Sequence, residues 1–476
     1  MLFNSLSFLI FLPIVLIGYY SLAHRGQNYL LLAASLFFYA CWDWRFLSLL
    51  FITMVVDYFV ADYLERLQLE GAPERKRKWV LAVSMFSNLA MLGFFKYFNF
   101  FADSMHDLLT MAGWNVQMST LNIILPVGIS FYTFQSMSYT IDVYRGELPA
   151  TRHFLDFALF VSFFPHLVAG PIMRAVDLIP QILRPRHTTV DQIFDGLHLI
   201  MWGFFKKVFV ADNLAPIANA IFSEQSPSGF RTLIGVYAFA WQIYCDFSGY
   251  TDIARGVAKL MGFELILNFN LPYFSTSPKE FWTRWHISLS SWLRSYLYFP
   301  LGGNRGSEAQ TYRNLMLTMI LGGLWHGAAW NFVLWGIYQG GMLVIHRLTE
   351  PWLDRWFTFR DPFTRGVWFA VRVVIMFHLT CYGWLLFRAT SFSQIVGMTA
   401  SLAHPLQGFD PSLAWKVALF SGPLLVIQCI QYFSGKLQFL DFRWVPLEAK
   451  AVCYAAILYL IIFRAAQPQS FIYFQF

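Results

Sequence analysis

The residue best suited to proton transfer is a histidine in an apolar setting. His326 lies in Leu321-Gly322-Gly323-Leu324-Trp325-His326-Gly327-Ala328-Ala329-Trp330-Asn331, where its neighbours before Asn331 are glycine, alanine, leucine and tryptophan. An ionisable side chain in such a run is costly, which makes it a functional candidate. Neutral imidazole accepts a proton near pH 7, as a general base must. The flanking glycines would admit a ligand or a second backbone at close range. A buried histidine bonded to a neighbouring helix fits the position equally well.

His286, in Arg284-Trp285-His286-Ile287-Ser288, is the second candidate, although from position alone it reads first as a histidine at a polar/apolar boundary. The stretch Asp246-Phe247-Ser248-Gly249-Tyr250-Thr251-Asp252 ends an apolar run with two carboxylates. One of them could orient a histidine or hold a cation. Capping a helix or pairing with Arg255 is the better reading of these carboxylates alone.

His166, His198, His346 and His378 stand near the ends of apolar runs or alone on them, and read as core or snorkelling side chains. His187 and Asp191 match an HxxxD pattern by coincidence, in a polar loop with no glycine directly after them. GxSxG, P-loop, dinucleotide and HExxH motifs are all missing. The five cysteines, Cys41, Cys245, Cys381, Cys429 and Cys453, are scattered singly without a CxxC, so they read as small buried hydrophobes and give no metal site.

The elements that must position these residues are apolar. Hydropathy gives thirteen candidate spans: 7–22, 29–41, 46–64, 79–98, 121–141, 154–168, 197–210, 233–244, 315–324, 330–345, 367–386, 415–432 and 452–463. Several are shorter than the roughly 20 residues of a full span, which implies tilted, merged or re-entrant segments. No positive charge precedes the first run, which reads as a retained span. Arg75-Lys76-Arg77-Lys78 marks a cytoplasmic loop, and counting back three spans places Met1 outside. Lys206-Lys207 read as a membrane-interface marker.

One insert breaks the pattern. Ser277-Pro278-Lys279-Glu280 predicts a capping box with proline in the first turn. Phe281, Trp285, Leu289, Trp292/Leu293 and Tyr296/Leu297 then predict an amphipathic helix over 277–300, with Arg284, Ser288, Ser291 and Arg294 on its polar face. Such a helix lies at an interface or lines a cavity and does not span.

Composition sets the solvent. Of 476 residues, 57% are hydrophobic and only 13% charged, about half the charged share of a soluble domain, near 25%. An all-α polytopic membrane protein follows, and disorder, a disulfide scaffold and a cytosolic enzyme are excluded. The net charge of +7 fits lysine and arginine near anionic lipid headgroups. No basic stripe with interleaved aromatics suggests nucleic acid. The chain reads as one transmembrane domain, 1–476, with N-terminal spans in 1–115, a core in 116–345 and C-terminal spans in 346–476.

These residues together resemble the membrane-bound O-acyltransferase (MBOAT) family, nearest its bacterial alginate, cellulose and peptidoglycan O-acetylation branch. The resemblance rests on 280–290, 322–327, 246–252, Phe164-Pro165-His166-Leu167-Val168-Ala169-Gly170-Pro171 and the terminal Phe471-Ile472-Tyr473-Phe474-Gln475-Phe476. It implies a ring of tilted helices around a thin core with funnels from both sides, His326 as the essential histidine and His286 as a second one. Asp246, Ser248, Tyr250, Asp252, Arg284, Ser288, Trp325 and Asn331 become candidate supporting residues, with no bound cofactor or metal. The implied reaction is acetyl transfer from acetyl-CoA to a polysaccharide or partner-protein hydroxyl, at the bacterial inner membrane. An SGNH-type periplasmic acetyltransferase would be the partner. A non-catalytic acetyl-donor transporter, or an acyltransferase acting on lipid or protein, are the alternatives.

Overall fold

A computed structural model describes residues 1–114, 120–438, 440–441 and 445–474, so Gln475 and Phe476 of the terminal motif lie outside the described residues. The described residues are helical, with no strand among them. Their backbone falls into two compact units that interleave along the chain: Met1–Ile200 with Ala254–Ile266, and Met201–Ile253 with Leu267–Phe476. The sequence boundaries at 115 and 345 do not coincide with this division.

The first unit holds α1 (Leu6–Tyr20), α2 (His24–Asp43), α3 (Leu47–Leu69), α4 (Glu74–Leu92), α5 (Phe98–Met111), α6 (Ile129–Arg145), α7 (Phe154–Ser162), α8 (Phe164–Leu167), α9 (Ala175–Leu183) and most of α10 (Val190–Phe204). Its largely apolar interior includes a cluster of polar groups. The buried Asp57 carboxylate of α3 accepts from Ser84 (2.6 Å) and Asn88 (2.8 Å) of α4 and from Ser136 of α6. Outward faces carry apolar side chains such as Leu6, Ile17 and Phe86, all largely exposed. Apolar side chains on the outside as well as in the core suit hydrocarbon as solvent.

The second unit contains α11 (Asp212–Phe222), most of α12 (Gly229–Leu260), α13 (Pro278–Arg284), α14 (Ile287–Leu293), α15 (Glu308–His326), α16 (Trp330–Trp356), α17 (Pro362–Arg388), α18 (Phe392–Ser401), α19 (Pro411–Ser434) and α20 (Leu447–Phe463). Among the described residues, four helical stretches are long and apolar enough to cross a membrane: His24–Leu69, Glu74–Met111, Pro362–Arg388 and Pro411–Ser434. The thirteen apolar runs therefore do not map one to one onto spans. Runs 29–41 and 46–64 share the first stretch, run 121–141 is helical only from Ile129, and run 154–168 is divided between α7 and α8.

The amphipathic insert forms, but not as one helix. Ser277 caps α13 by accepting from the Glu280 amide at 3.2 Å. Glu280 does not return the bond to Ser277; its carboxylate accepts from the Thr276 amide and hydroxyl instead, so only half of the predicted box exists. The helix then breaks at His286, whose φ is +43°. Among the described non-glycine residues only Leu271 shares this left-handed conformation, which is costly for a side chain with a Cβ. The periodic apolar stripe survives because α14 resumes at once with Leu289, Trp292 and Leu293 buried.

Candidate active site

Two helices fix His326. It is the final residue of α15, and Gly327 leaves the helix in extended backbone. The glycines around it serve helix packing and not ligand entry: a Cβ on Gly323 would stand 2.2 Å from the Phe332 carbonyl oxygen, and one on Gly336 2.5 Å from that of Met319. α15 and α16 can cross this tightly only without side chains there. Asn331 ties the first turn of α16 to α17 by donating to the Phe387 carbonyl at 3.0 Å.

The result is an aromatic enclosure. The His326 ring centroid lies 5.1 Å from Trp325, 5.1 Å from Trp335, 5.4 Å from Phe387 and 5.8 Å from Tyr473. His286 comes to the same place from the break in the insert, with its ring 6.4 Å from His326, 4.7 Å from Phe247, 5.9 Å from Trp325 and 6.4 Å from Tyr473. Both histidines are buried, His286 completely. Burial holds the His286 imidazole well below the ordinary histidine range, and the neighbouring His326 lowers it further.

The supporting candidates separate into three groups. Trp325 and Ser288 lie against the histidines, Ser288 Oγ 3.4 Å from His286 Nδ1. Arg284 faces elsewhere: it pairs with Glu280 at 2.9 Å and donates to the Asn270 carbonyl at 3.1 Å, bracing α13. Arg255 donates to the Leu265 carbonyl at 3.4 Å. Asp252 takes Lys206 at 2.6 Å, and Ser248 accepts from the same ammonium at 3.1 Å. Asp246 takes Lys207 at 2.8 Å, as does Asp212.

The two lysines are therefore no interface marker; they are 3% and 6% exposed, inside the fold. Gly203 and Gly249 allow it, because a Cβ on Gly203 would meet the Gly249 carbonyl oxygen at 2.5 Å, so α10 and α12 pack backbone to backbone. A π-helical turn, Phe205–Ala211, then aims both ammonium groups at α12.

This cluster also positions the C-terminal segment. Asp246 accepts from the Ile472 amide at 2.7 Å, and Lys207 donates to the Gln469 carbonyl at 3.1 Å. Phe471 stacks within 4.9 Å of Tyr250, and Tyr473 reaches 4.5 Å from Phe247. Sequence reasoning singled out Tyr473 only as part of a motif, and it missed Trp335, Phe387 and Asn268. The recurrence of Trp384 and Phe387 three residues apart, on the face of α17 turned to Trp335, was the available signal.

A cavity of about 760 Å³ opens elsewhere on α16 and α17, lined by Tyr338, Met342, His346, Trp368 and Met376 and by neither site histidine. No group of three or more metal-ligating side chains occurs among the described residues.

The sequence profile of MBOAT, the membrane-bound O-acyltransferase family, matches residues 145–387, which include both histidines. Probable alginate O-acetylase AlgI of Pseudomonas aeruginosa is 43% identical over 460 residues, covering 95% of this chain and 84% of that protein. Peptidoglycan O-acetyltransferase of Helicobacter pylori is 34% identical over 532 aligned positions, covering 100% and 98%. Teichoic acid D-alanyltransferase of Bacillus subtilis is 28% identical over 293 residues, covering 57% and 70%. The chain belongs to the membrane-bound O-acyltransferase family and is a multi-pass membrane acyltransferase.

Proposed function

We propose that this chain is an O-acetyltransferase of the bacterial inner membrane. It takes acetyl groups from cytosolic acetyl-CoA and delivers them to an extracytoplasmic polysaccharide, directly or through an SGNH-type partner acetyltransferase. The observation that carries the reading is the convergence of two buried imidazoles from separate elements inside one aromatic enclosure. The names of two relatives aligned over most of the chain, a probable alginate O-acetylase and a peptidoglycan O-acetyltransferase, support acetyl as the group and a cell-envelope glycan as the destination.

In this mechanism His326 removes the proton of the acceptor hydroxyl. The hydroxyl oxygen attacks the thioester carbonyl, a C–O bond forms, and the C–S bond breaks. CoA thiolate leaves and recovers the proton from His326. His286 orients the acceptor, while the indole and phenyl walls exclude water that would hydrolyse the donor. The cytoplasmic side supplies the donor, which agrees with a cytoplasmic Arg75–Lys78 loop and an N-terminus outside.

The test uses purified full chain in nanodiscs with labelled acetyl-CoA and a glycan or partner acceptor. Release of CoA with transfer of label is expected, and His326→Ala should lower turnover roughly 10²- to 10⁴-fold, the usual worth of a general base. Donor binding without turnover under every acceptor would make the protein a conduit instead.

A further inference from the structure

The hydrogen bonds around His286 assign roles to its two nitrogens. Asn268 lies eighteen residues earlier and is completely buried. Its backbone carbonyl accepts from the Ile287 amide at 2.9 Å, and its side-chain Oδ1 accepts from the Ser288 amide at 3.1 Å. A backbone N–H can only donate, so that contact fixes which end of the Asn268 amide is oxygen. The same Oδ1 lies 2.9 Å from Ser288 Oγ and 3.2 Å from His286 Nδ1. An acceptor oxygen facing a ring nitrogen requires that nitrogen to carry the hydrogen. The alternative, with Ser288 Oγ donating to Nδ1 across 3.4 Å, would set two lone pairs against each other and give up the shorter bond. At the far side of the ring, Nε2 is buried and has no hydrogen-bond partner among the described residues.

We infer that Asn268 is a positioning residue that locks His286 in the Nδ1–H tautomer, leaving Nε2 as a buried lone-pair acceptor among the surrounding rings. The left-handed backbone at His286 belongs to the same device, because the Asn268 backbone and side chain together hold the reversal that creates it. The chemical consequence is specific. A neutral His286 presents a proton acceptor to an incoming hydroxyl, and it has no N–H on that nitrogen to offer an oxyanion. Its role is to receive a hydrogen bond from a neighbouring hydroxyl of the acceptor and so orient it, while His326 takes the proton of the hydroxyl being acylated. This consequence rests on the acyl-transfer reading, whereas the tautomer does not.

The groups against the ring are His326, Tyr473, Ser288, Phe247, Phe269 and Trp325, so His326 is the neighbouring imidazole whose titration must be separated from that of His286. The experiment is ¹⁵N-histidine NMR on the full chain in nanodiscs, with the His286 resonances identified by their loss in His286→Gln. A protonated Nδ1 and an unprotonated Nε2 are expected at pH 7, and an Nε2–H signal would overturn the assignment. Asn268→Ala should give mixed tautomers, and a retained single Nδ1–H form would remove Asn268 from the role. Asn268→Asp preserves the acceptor geometry and adds negative charge beside Nδ1–H. It should raise the proton affinity of His286 and move the acid limb of the turnover profile to higher pH, with donor KM unchanged. Nδ1–H retained in Asn268→Asp alongside a wild-type pH profile would leave the positioning intact and overturn the part assigned to His286 in acyl transfer.

Discussion

His326 and His286 reach each other by different routes, one at the end of a long helix and one at a break between two short ones. Their legibility differs for the same reason. An imidazole in a glycine- and tryptophan-rich run stands out because nothing else there ionises, so His326 declares itself. Asn268 does not, since a neutral amide is unremarkable in sequence and its partners are brought to it only by the chain reversal at 285–288. The place of Tyr473 was equally hidden, depending on a hydrogen bond from the neighbouring Ile472 amide to the Asp246 carboxylate, 226 residues earlier. Its ring now lies against both imidazoles, at 5.8 and 6.4 Å. Tyr473→Phe keeps that packing and removes one hydroxyl. Turnover is expected to fall about tenfold, the worth of one hydrogen bond of 1–1.5 kcal/mol, with thermal stability in detergent unchanged. Equal activity in the phenylalanine variant would restrict Tyr473 to packing.

At the scale of elements, the glycines divide into those that a helix crossing needs and those that it does not. Gly323 has the Phe332 carbonyl 2.2 Å from where a Cβ would be, while Gly341, on the same α15–α16 pair, has nothing within 4 Å. Gly323→Ala should therefore destabilise the protein by about 1–3 kcal/mol through overpacking. Gly341→Ala should be neutral or stabilise by up to about 1 kcal/mol through helix propensity. Melting in detergent micelles distinguishes them, and equal losses would refute the crossing as the cause. Sequence patterning found the apolar insert and its cap but ran it through as one helix, because a stripe at helical spacing cannot show a left-handed residue in its middle. It also took Lys206 and Lys207 for surface residues. Adjacent lysines beside an apolar run look alike whether they meet headgroups or carboxylates, and here the carboxylates lie about forty residues away on α12.

For the whole molecule, apolar residues such as Phe86, Phe433 and Phe463 face outward, while the largely apolar core also encloses Asp57, Lys206 and Asp246. That arrangement ties stability to the surrounding hydrocarbon, and the proposed orientation is tested at the basic loop. In a cysteine-free background, a single cysteine at Ala72, next to Arg75–Lys78, should react with a membrane-impermeant maleimide only after the inner membrane is opened. Labelling in intact spheroplasts would reverse the topology. Composition made the membrane legible, but not which few polar groups would be spent inside it. Those groups have a further chemical meaning. Activated acyl groups also react with free amines, so an acyltransferase must keep its own lysines from becoming acceptors. Lys207 donates to the Gln469 carbonyl and forms ion pairs with Asp212 and Asp246, and Lys206 is engaged by Asp252 and Ser248. The ion pairs that anchor the fold therefore also hold both amines against carboxylates.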